Sequence, residues 1–455
     1  MPKKIIFILQ SLYKRIYIFF EIINKIPIFA WYFLWFILFI IQLYYLIHYG
    51  IDLPLYDEWW SYFPNSPFDI DYLFYHVGVH VVVPTKITMS TNQTFFGLNF
   101  NYQRIFNFFL YAFLILTIFS ILRISKTKSK ILFLIITFYF SGINWWVLYR
   151  SDTNAYSFYM LFMVLCIYFL QSFNLKRYFI GLIFYALMMF SFSTGIVSAI
   201  VIFIFFSIRI IVLQNKIKYK HLRLLLLFVI LILNITIWNI QLAGYPTRHT
   251  YPYKKEFWVF LAHLSGWIYG YPYINGFHAF ISFVFSVRVI LLLFWNSVKQ
   301  YSYFWQGKGW IVLTFTFCVL STALQITFGR AEDPPGVAEA AKGAFRYSFF
   351  LMFALPGILM GIESILPKTK QRMYLIFFVC FCLFGYSRYL INFNYHYKWM
   401  ANSVKEGIRC MYTEEFKKTG FCPTIGADDI RPYFEQARRL KLNFTKRPEI
   451  KKIQW

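Results

Sequence analysis

Acid is what this sequence lacks. Only 19 of its 455 residues are Asp or Glu, against 45 Lys and Arg. Charged residues of both signs make up 14% of the chain, 59% is hydrophobic, and the mean hydropathy is +0.54. That balance excludes an ordinary soluble domain. The sequence contains no P-loop, dinucleotide fingerprint or metalloprotease signature, so nothing in it supports a nucleotide-driven reaction. Its apolar runs lack the alternation of barrel strands. A backbone in lipid must satisfy its own hydrogen bonds, which leaves helices. No repeat of transporter size is visible.

What is present is a series of apolar runs of about 17–25 residues, each long enough to cross a bilayer. Basic residues gather in the short loops between them, as the positive-inside rule predicts. The net charge of +26 therefore reads as topology, with no nucleic-acid partner. The 57 Phe and 36 Tyr match an AT-rich coding sequence and carry no functional weight. Near the start, Lys3, Lys4, Lys14 and Arg15 surround a short apolar run with no small-residue cleavage site after it. That reads as an interfacial helix on the cytoplasmic side.

The expected fold is an all-α polytopic membrane protein with about eleven transmembrane helices, judged from run length and loop charge. The expected spans are 28–47, 102–122, 131–148, 155–170, 178–192, 195–213, 224–240, 277–295, 310–328, 348–366 and 373–390. Segments 81–100, interrupted by Pro84 and Lys86, and 257–276 read as interfacial or re-entrant, with a membrane span as the alternative for 257–276. Segment 69–80 reads as a short helix lying on the membrane. The chain divides into a transmembrane part, 1–391, whose first external loop is 49–101, and a polar external tail, 392–455. Cys410 and Cys422 both fall in that tail; they form either a disulfide or two free thiols.

The candidate site starts from the scarce acids. Asp57 and Glu58 follow the first span beside Trp59 and Trp60, with no basic residue close in sequence. Such a carboxylate can take a proton from a hydroxyl. The plainer reading is a hydrated charge that ends the span. Asp152 lies in the short turn 149–154 next to Arg150. It either positions an acceptor or a metal, or pairs with Arg150 and caps the next helix. His76 and His80 share one face of the expected helix 69–80. They are satisfied interfacial histidines, phosphate donors, or metal ligands together with Asp57, Asp69 or Asp71. Arg330, Lys342 and Arg346 lie in one late loop around the elbow Pro334-Pro335-Gly336. They either pair with Glu332, Asp333 or Glu339, or grip a departing phosphate. Arg288 lies mid-span and is expected to face a cavity or a partner.

This constellation resembles the integral-membrane glycosyltransferases of the GT-C fold. The resemblance covers most of the chain as topology. It implies an essential acid soon after the first span, matched by Asp57 and Glu58, and a second acid between the third and fourth spans, matched by Asp152. It also implies a later basic residue on the donor phosphate, matched by Arg330 or Arg346. A narrower likeness is to bacterial membrane proteins that begin P-x-x-D-E/Q-W, which Pro54-Leu55-Tyr56-Asp57-Glu58-Trp59 fits, and that carry later G-R and S-R-Y pairs, met here by Gly329-Arg330 and Phe345-Arg346-Tyr347. Their H-x-E-H-R stretch is met only by His80 and Pro84, with Val79 and Val81 where Glu and Arg would stand. O-antigen glucosyltransferases are similar in size, topology and composition.

The resemblance implies a bacterial inner-membrane enzyme with its N-terminus in the cytoplasm and its C-terminus in the periplasm. Its partners would be a polyprenyl-phosphate sugar donor, a glycan acceptor and the lipid bilayer. No organic cofactor is implied, and a divalent metal is left open. Two other readings stand beside it. An O-antigen polymerase would depend on external arginines more than on Asp57. A lipid-linked glycan transporter or flippase would carry its charges near mid-bilayer.

Overall fold

The computed structural model describes Ile18, Ile22 and Ile23 and residues 25–61, 66–78, 80–124, 131–213, 219–243, 249–270, 276–307, 309–332, 344–363, 368–426 and 429–453. Lys342, one of the expected phosphate ligands, lies outside them. The described residues form helices joined by turns and irregular segments, with no strand and one isolated bridge, Val77 to His80.

Among the described residues, seven helices are long and apolar enough to cross a membrane: Ile28–Tyr49, Phe100–Arg123, Thr194–Val212, Lys220–Gln241, Gly276–Lys299, Gly309–Arg330 and Lys368–Ile391. The first explains how such a helix packs. Trp31, Trp35, Leu38, Gln42 and Leu46 recur at helical spacing and are buried. Phe29, Phe33, Phe36, Ile40 and Ile47 recur on the other face and are exposed. Both faces are apolar, so hydrophobicity does not choose between them in lipid. Shape and polar pairs do. Here the indole of Trp35 donates to Thr137 Oγ1 at 3.0 Å, and Gln42 Nε2 donates to the Phe140 carbonyl at 2.7 Å.

Several expected spans are broken or short. The run 131–148 is helical only over Ile131–Tyr139 and again over Trp145–Tyr149. Between them Gly142 sits at φ +80°, and a Cβ there would come within 2.7 Å of the Phe393 ring. The non-helical backbone is supplied with partners from outside: Gln42 for Phe140, and the Tyr111 hydroxyl, which donates to the Tyr139 carbonyl at 2.6 Å. Irregular backbone inside an apolar layer requires such support. The segment 348–363 is similarly divided by a 3-10 turn over Met352–Ala354. The helices Asn154–Leu170 and Leu175–Met189 are continuous but shorter than the seven.

Segment 83–96 forms a separate helix, Val83–Phe96, with Pro84 at its start and Gly97 in a left-handed conformation at its end. Segment 257–276 contributes the short helix Lys255–Trp267. Neither is among the helices long enough to span. The expected helix over 69–80 is confined to Ile70–Phe74, capped by the Asp69 side chain, which accepts from the Asp71 amide. Gly78 then takes a positive φ, so His76 and His80 do not share a helical face. Arg288 is also placed differently from expectation. It is exposed on the outer surface of its helix, with its guanidinium 5.4 Å from the Tyr374 ring centre. A long side chain can lie along the helix and rest its charge on an aromatic face, so no interior cavity is needed.

The tail 392–455 is folded. Helix Phe393–Cys410 buries Phe393, Tyr397, Met400, Ala401 and Val404, and a Cys410–Cys422 disulfide follows. The tail packs against the loop after the first helix. Asn443 N–H donates to the Gly97 carbonyl at 2.8 Å, and the Trp59 indole donates to the Ile425 carbonyl at 2.9 Å.

Candidate functional site

The scarce acids meet at one end of the bundle. The end of Ile28–Tyr49, the start of Asn154–Leu170 and the end of Gly309–Arg330 all lie there. Leu53, Leu55 and Trp59 are fully buried and fix the acidic loop. Between them the two adjacent carboxylates separate. Glu58 begins the short helix Glu58–Ser61 and is fully buried. Its Oε2 accepts the Leu55 amide at 2.8 Å, three residues back, as in a capping box. Its Oε1 accepts the amide and hydroxyl of Ser151 at 2.6 and 2.7 Å. Glu58 thus ties the loop to the turn that carries Asp152. It does not line the cavity described below, so the expectation of a catalytic role there does not fit its position. The reason is that the loop and the turn leave buried amides, at Leu55 and Ser151, and this carboxylate satisfies them.

Asp57 points the other way, with 42% of its side chain exposed. It does have a basic neighbour, which the spacing in sequence hid. Arg150 Nη2 lies 3.4 Å from Asp57 Oδ2. The same guanidinium grips Asp152 in a fork, Nε to Oδ1 at 2.9 Å and Nη2 to Oδ2 at 2.5 Å. Arg150 is itself buried, with Tyr56 and Trp146 rings against it. Burial raises the Asp152 carboxyl to about 6; Arg150 pulls it down, while Glu58 and Asp57 push it up. The side chain of Asp152 makes no helix cap; Thr153 stands at that position, and Ala155 N–H bonds only to the Asp152 carbonyl.

Asp57, Arg150 and Asp152 line a cavity of about 260 Å³. Arg330, Arg346 and Tyr347 line it too. Arg330 closes the helix Gly309–Arg330, and Arg346 and Tyr347 lie in the 3-10 turn Ala344–Tyr347. Arg346 Nη2 donates to the Tyr347 hydroxyl at 3.4 Å. Burial alone would raise the Tyr347 phenol, but Arg346 and Arg330 outweigh it and hold the phenol below its ordinary range. Tyr156 completes this part of the lining, its ring against Phe192 and Phe350.

The histidines part company. His80 lines the cavity, stacked on Phe192 at 4.0 Å, with Nδ1 2.8 Å from Ser193 Oγ. Burial, then Arg330 and Arg346, push its pKa down to about 3, so the ring is neutral near pH 7. A neutral imidazole keeps one N–H. If Ser193 donates to Nδ1, that N–H is on Nε2. His76 turns away and bonds the Gly78 carbonyl through Nδ1 at 2.8 Å. Among the described residues no three His, Cys, Asp or Glu side chains gather as a metal cluster.

The structure therefore brings together Asp57, Asp152, His80, Arg330 and Arg346 from segments far apart in sequence. Sequence reasoning treated Arg150 only as a neighbour of Asp152, and singled out neither Tyr156 nor Tyr347 for a role. The signal for Arg150 was present: it is the only base in a six-residue turn that holds one of the few acids. Compared with protein-family models, with curated proteins and with solved structures, the chain matches none.

Proposed function

We propose that this chain is a membrane glycosyltransferase. It takes a sugar, a hexose, from a polyprenyl-phosphate donor and passes it to a hydroxyl of a lipid-linked or surface glycan. The observation that supports this reading is the cavity's mixed lining: a partly exposed carboxylate, Asp57, in the same space as two guanidinium groups, Arg330 and Arg346. The GT-C fold and a periplasm-facing cavity belong to this proposal as well.

Each group has a role in the reaction. The acceptor oxygen bonds to the anomeric carbon as the bond from that carbon to the phosphate oxygen breaks, with inversion. The electron pair leaves with the phosphate. Asp57 receives the hydroxyl proton, acting as general base. Arg346 and Arg330 meet the phosphate, whose charge increases by one as it departs, and fixed cations there stabilise the transition state. Arg150 holds Asp57 and Asp152 in one orientation. The neutral His80 ring can offer an N–H to a phosphate oxygen without adding charge.

The test compares the surface polysaccharide of cells carrying the wild-type chain or Asp57→Asn, by mass spectrometry, at equal protein level. Loss of one hexose branch per repeat is the expected result. An unchanged polysaccharide overturns the proposal. Loss of chain length with branches intact assigns the chain to polymerisation instead.

A further inference from the structure

One carbonyl in the last 50 residues bonds the acidic loop on both sides of its acids, beside the packing of Trp59 on Phe434 and Phe444 and the Arg447 bond to the Asp52 carbonyl. Ile425 O accepts the Tyr56 amide at 2.7 Å and the Trp59 indole at 2.9 Å. These two donors bracket Asp57 and Glu58. Tyr56 sits at φ 51°, a left-handed conformation that a tyrosine keeps only where its surroundings hold it. Ile425 is held in turn. Its N–H and that of Gly426 donate to the Cys422 carbonyl at 3.1 and 2.9 Å. Cys422 is bonded to Cys410, the last residue of helix Phe393–Cys410. Gly407, one turn back, lies so close that a Cβ there would come within 2.3 Å of Ile425 Cγ2. A continuous chain of contacts thus runs from the disulfide to the Tyr56 amide on one side of Asp57 and to the Trp59 indole on the other.

We propose that the Ile425 carbonyl, fixed by the Cys410–Cys422 bridge, is the positioning group for Asp57, so that sugar transfer requires the bridge to be oxidised. The proposal rests on Asp57 as the base. The bridge does not touch substrate; it sets where the carboxylate stands. Reduction by a dithiol moves two electrons and two protons: the reagent closes to its cyclic disulfide, and Cys410 and Cys422 become thiols. The turn at 422–426 then loses its anchor, and Tyr56 loses the partner that keeps it left-handed.

Two readouts on the full chain in nanodiscs test this. The first is amide hydrogen exchange over residues 53–60, with and without dithiothreitol. Exchange there is expected to quicken about tenfold or more on reduction, while the helix Gly309–Arg330 keeps its protection. The second is transfer from a polyprenyl-phosphate hexose to lipid-linked glycan extracted from the cells that make the protein. The turnover number kcat is expected to fall about tenfold on reduction with the donor KM unchanged, because misplacing a base costs rate and not donor binding. A bridge that only stabilised the fold would lower protection everywhere and leave kcat per folded molecule intact. Cys410→Ser with Cys422→Ser should be slow from the start and insensitive to dithiothreitol. Should that variant fail to fold, Trp59→Phe removes the indole donor and some buried ring volume, leaves the bridge and the Tyr56 bond in place, and should show a smaller kcat loss. Unchanged exchange over 53–60, or faster exchange with unchanged kcat, overturns the proposal. If Asp57→Asn itself leaves transfer intact, the base assignment has failed, and the exchange result still decides whether the tail holds the loop.

Discussion

The cavity has two kinds of wall, and each contains an arginine, Arg150 buried and Arg346 half-buried. Arg150 is surrounded by carboxylates: Asp152 in a fork, Asp57 at 3.4 Å, and Glu58 close enough to add to its field. Arg346 has a phenol as its partner, Tyr347, and its Nε makes no hydrogen bond among the described residues. An arginine whose Nε and Nη2 are already taken by carboxylates orients other groups and attracts little further charge. An arginine held against a phenol keeps most of its field for whatever enters the cavity. The same residue type therefore serves as a lock on one wall and as an anion seat on the other.

That difference can be broken from either side. The largest effect is expected from Asp57→Asn, which keeps shape and removes the proton acceptor. Transfer should fall about 10²–10⁴-fold in kcat, in purified enzyme with defined donor. Next comes Arg346→Ala, with an expected loss of about 10²–10³-fold in kcat/KM, since it removes a donor aimed at developing charge. Arg346→Lys should recover only part, because a point charge does not replace a planar fork. A pH profile sharpens the comparison on the acid wall. Asp152 is ionised above about 6 and takes a proton as pH falls through that value, which dissolves its pairing with Arg150. Below pH 6, kcat should drop about tenfold per unit, and Asp152→Asn should remove that inflection. The fold should not weaken over the same range. A carboxyl whose pKa is raised by folding binds its proton more tightly folded than unfolded, so acidification from 7 to 5 adds stability through this group.

The smallest expected effect separates the adjacent acids. Glu58→Gln should leave kcat within a few-fold and destabilise the chain by about 1–3 kcal/mol, because buried amide donors lose a charged acceptor. Thermal unfolding in detergent measures it. If Glu58→Gln instead abolishes transfer without changing stability, the division of labour between residues 57 and 58 is the reverse of the one proposed.

Much of the fold was legible because apolar run length is a direct physical demand of a bilayer, and all seven long helices fall on runs that the sequence marks. The breaks were not legible. The run 131–148 is apolar apart from Thr137, Ser141, Gly142 and Asn144, and only the approach of Phe393, some 250 residues away in sequence, makes glycine at 142 and an interrupted helix fit together. In the site, Asp57, Asp152, Arg330 and Arg346 could be picked out because charge is rare in such a chain and stands out wherever it occurs. The shared face of His76 and His80 was misread because a spacing of four implies one only if the intervening residues are helical, and the helix has already ended at Phe74.

By itself, then, the sequence determined that this is a helical membrane protein, the scarcity of its acids and the identity of most charged residues of the cavity, since these follow from composition and from the cost of placing charge near lipid. Only the tertiary structure decided which of two adjacent carboxylates is tied down and which faces the cavity, that Arg150 pairs with both Asp57 and Asp152, and that the C-terminal tail grips the first loop. Those outcomes depend on contacts between residues roughly 90 to nearly 400 positions apart, and no local pattern encodes a partner at that distance.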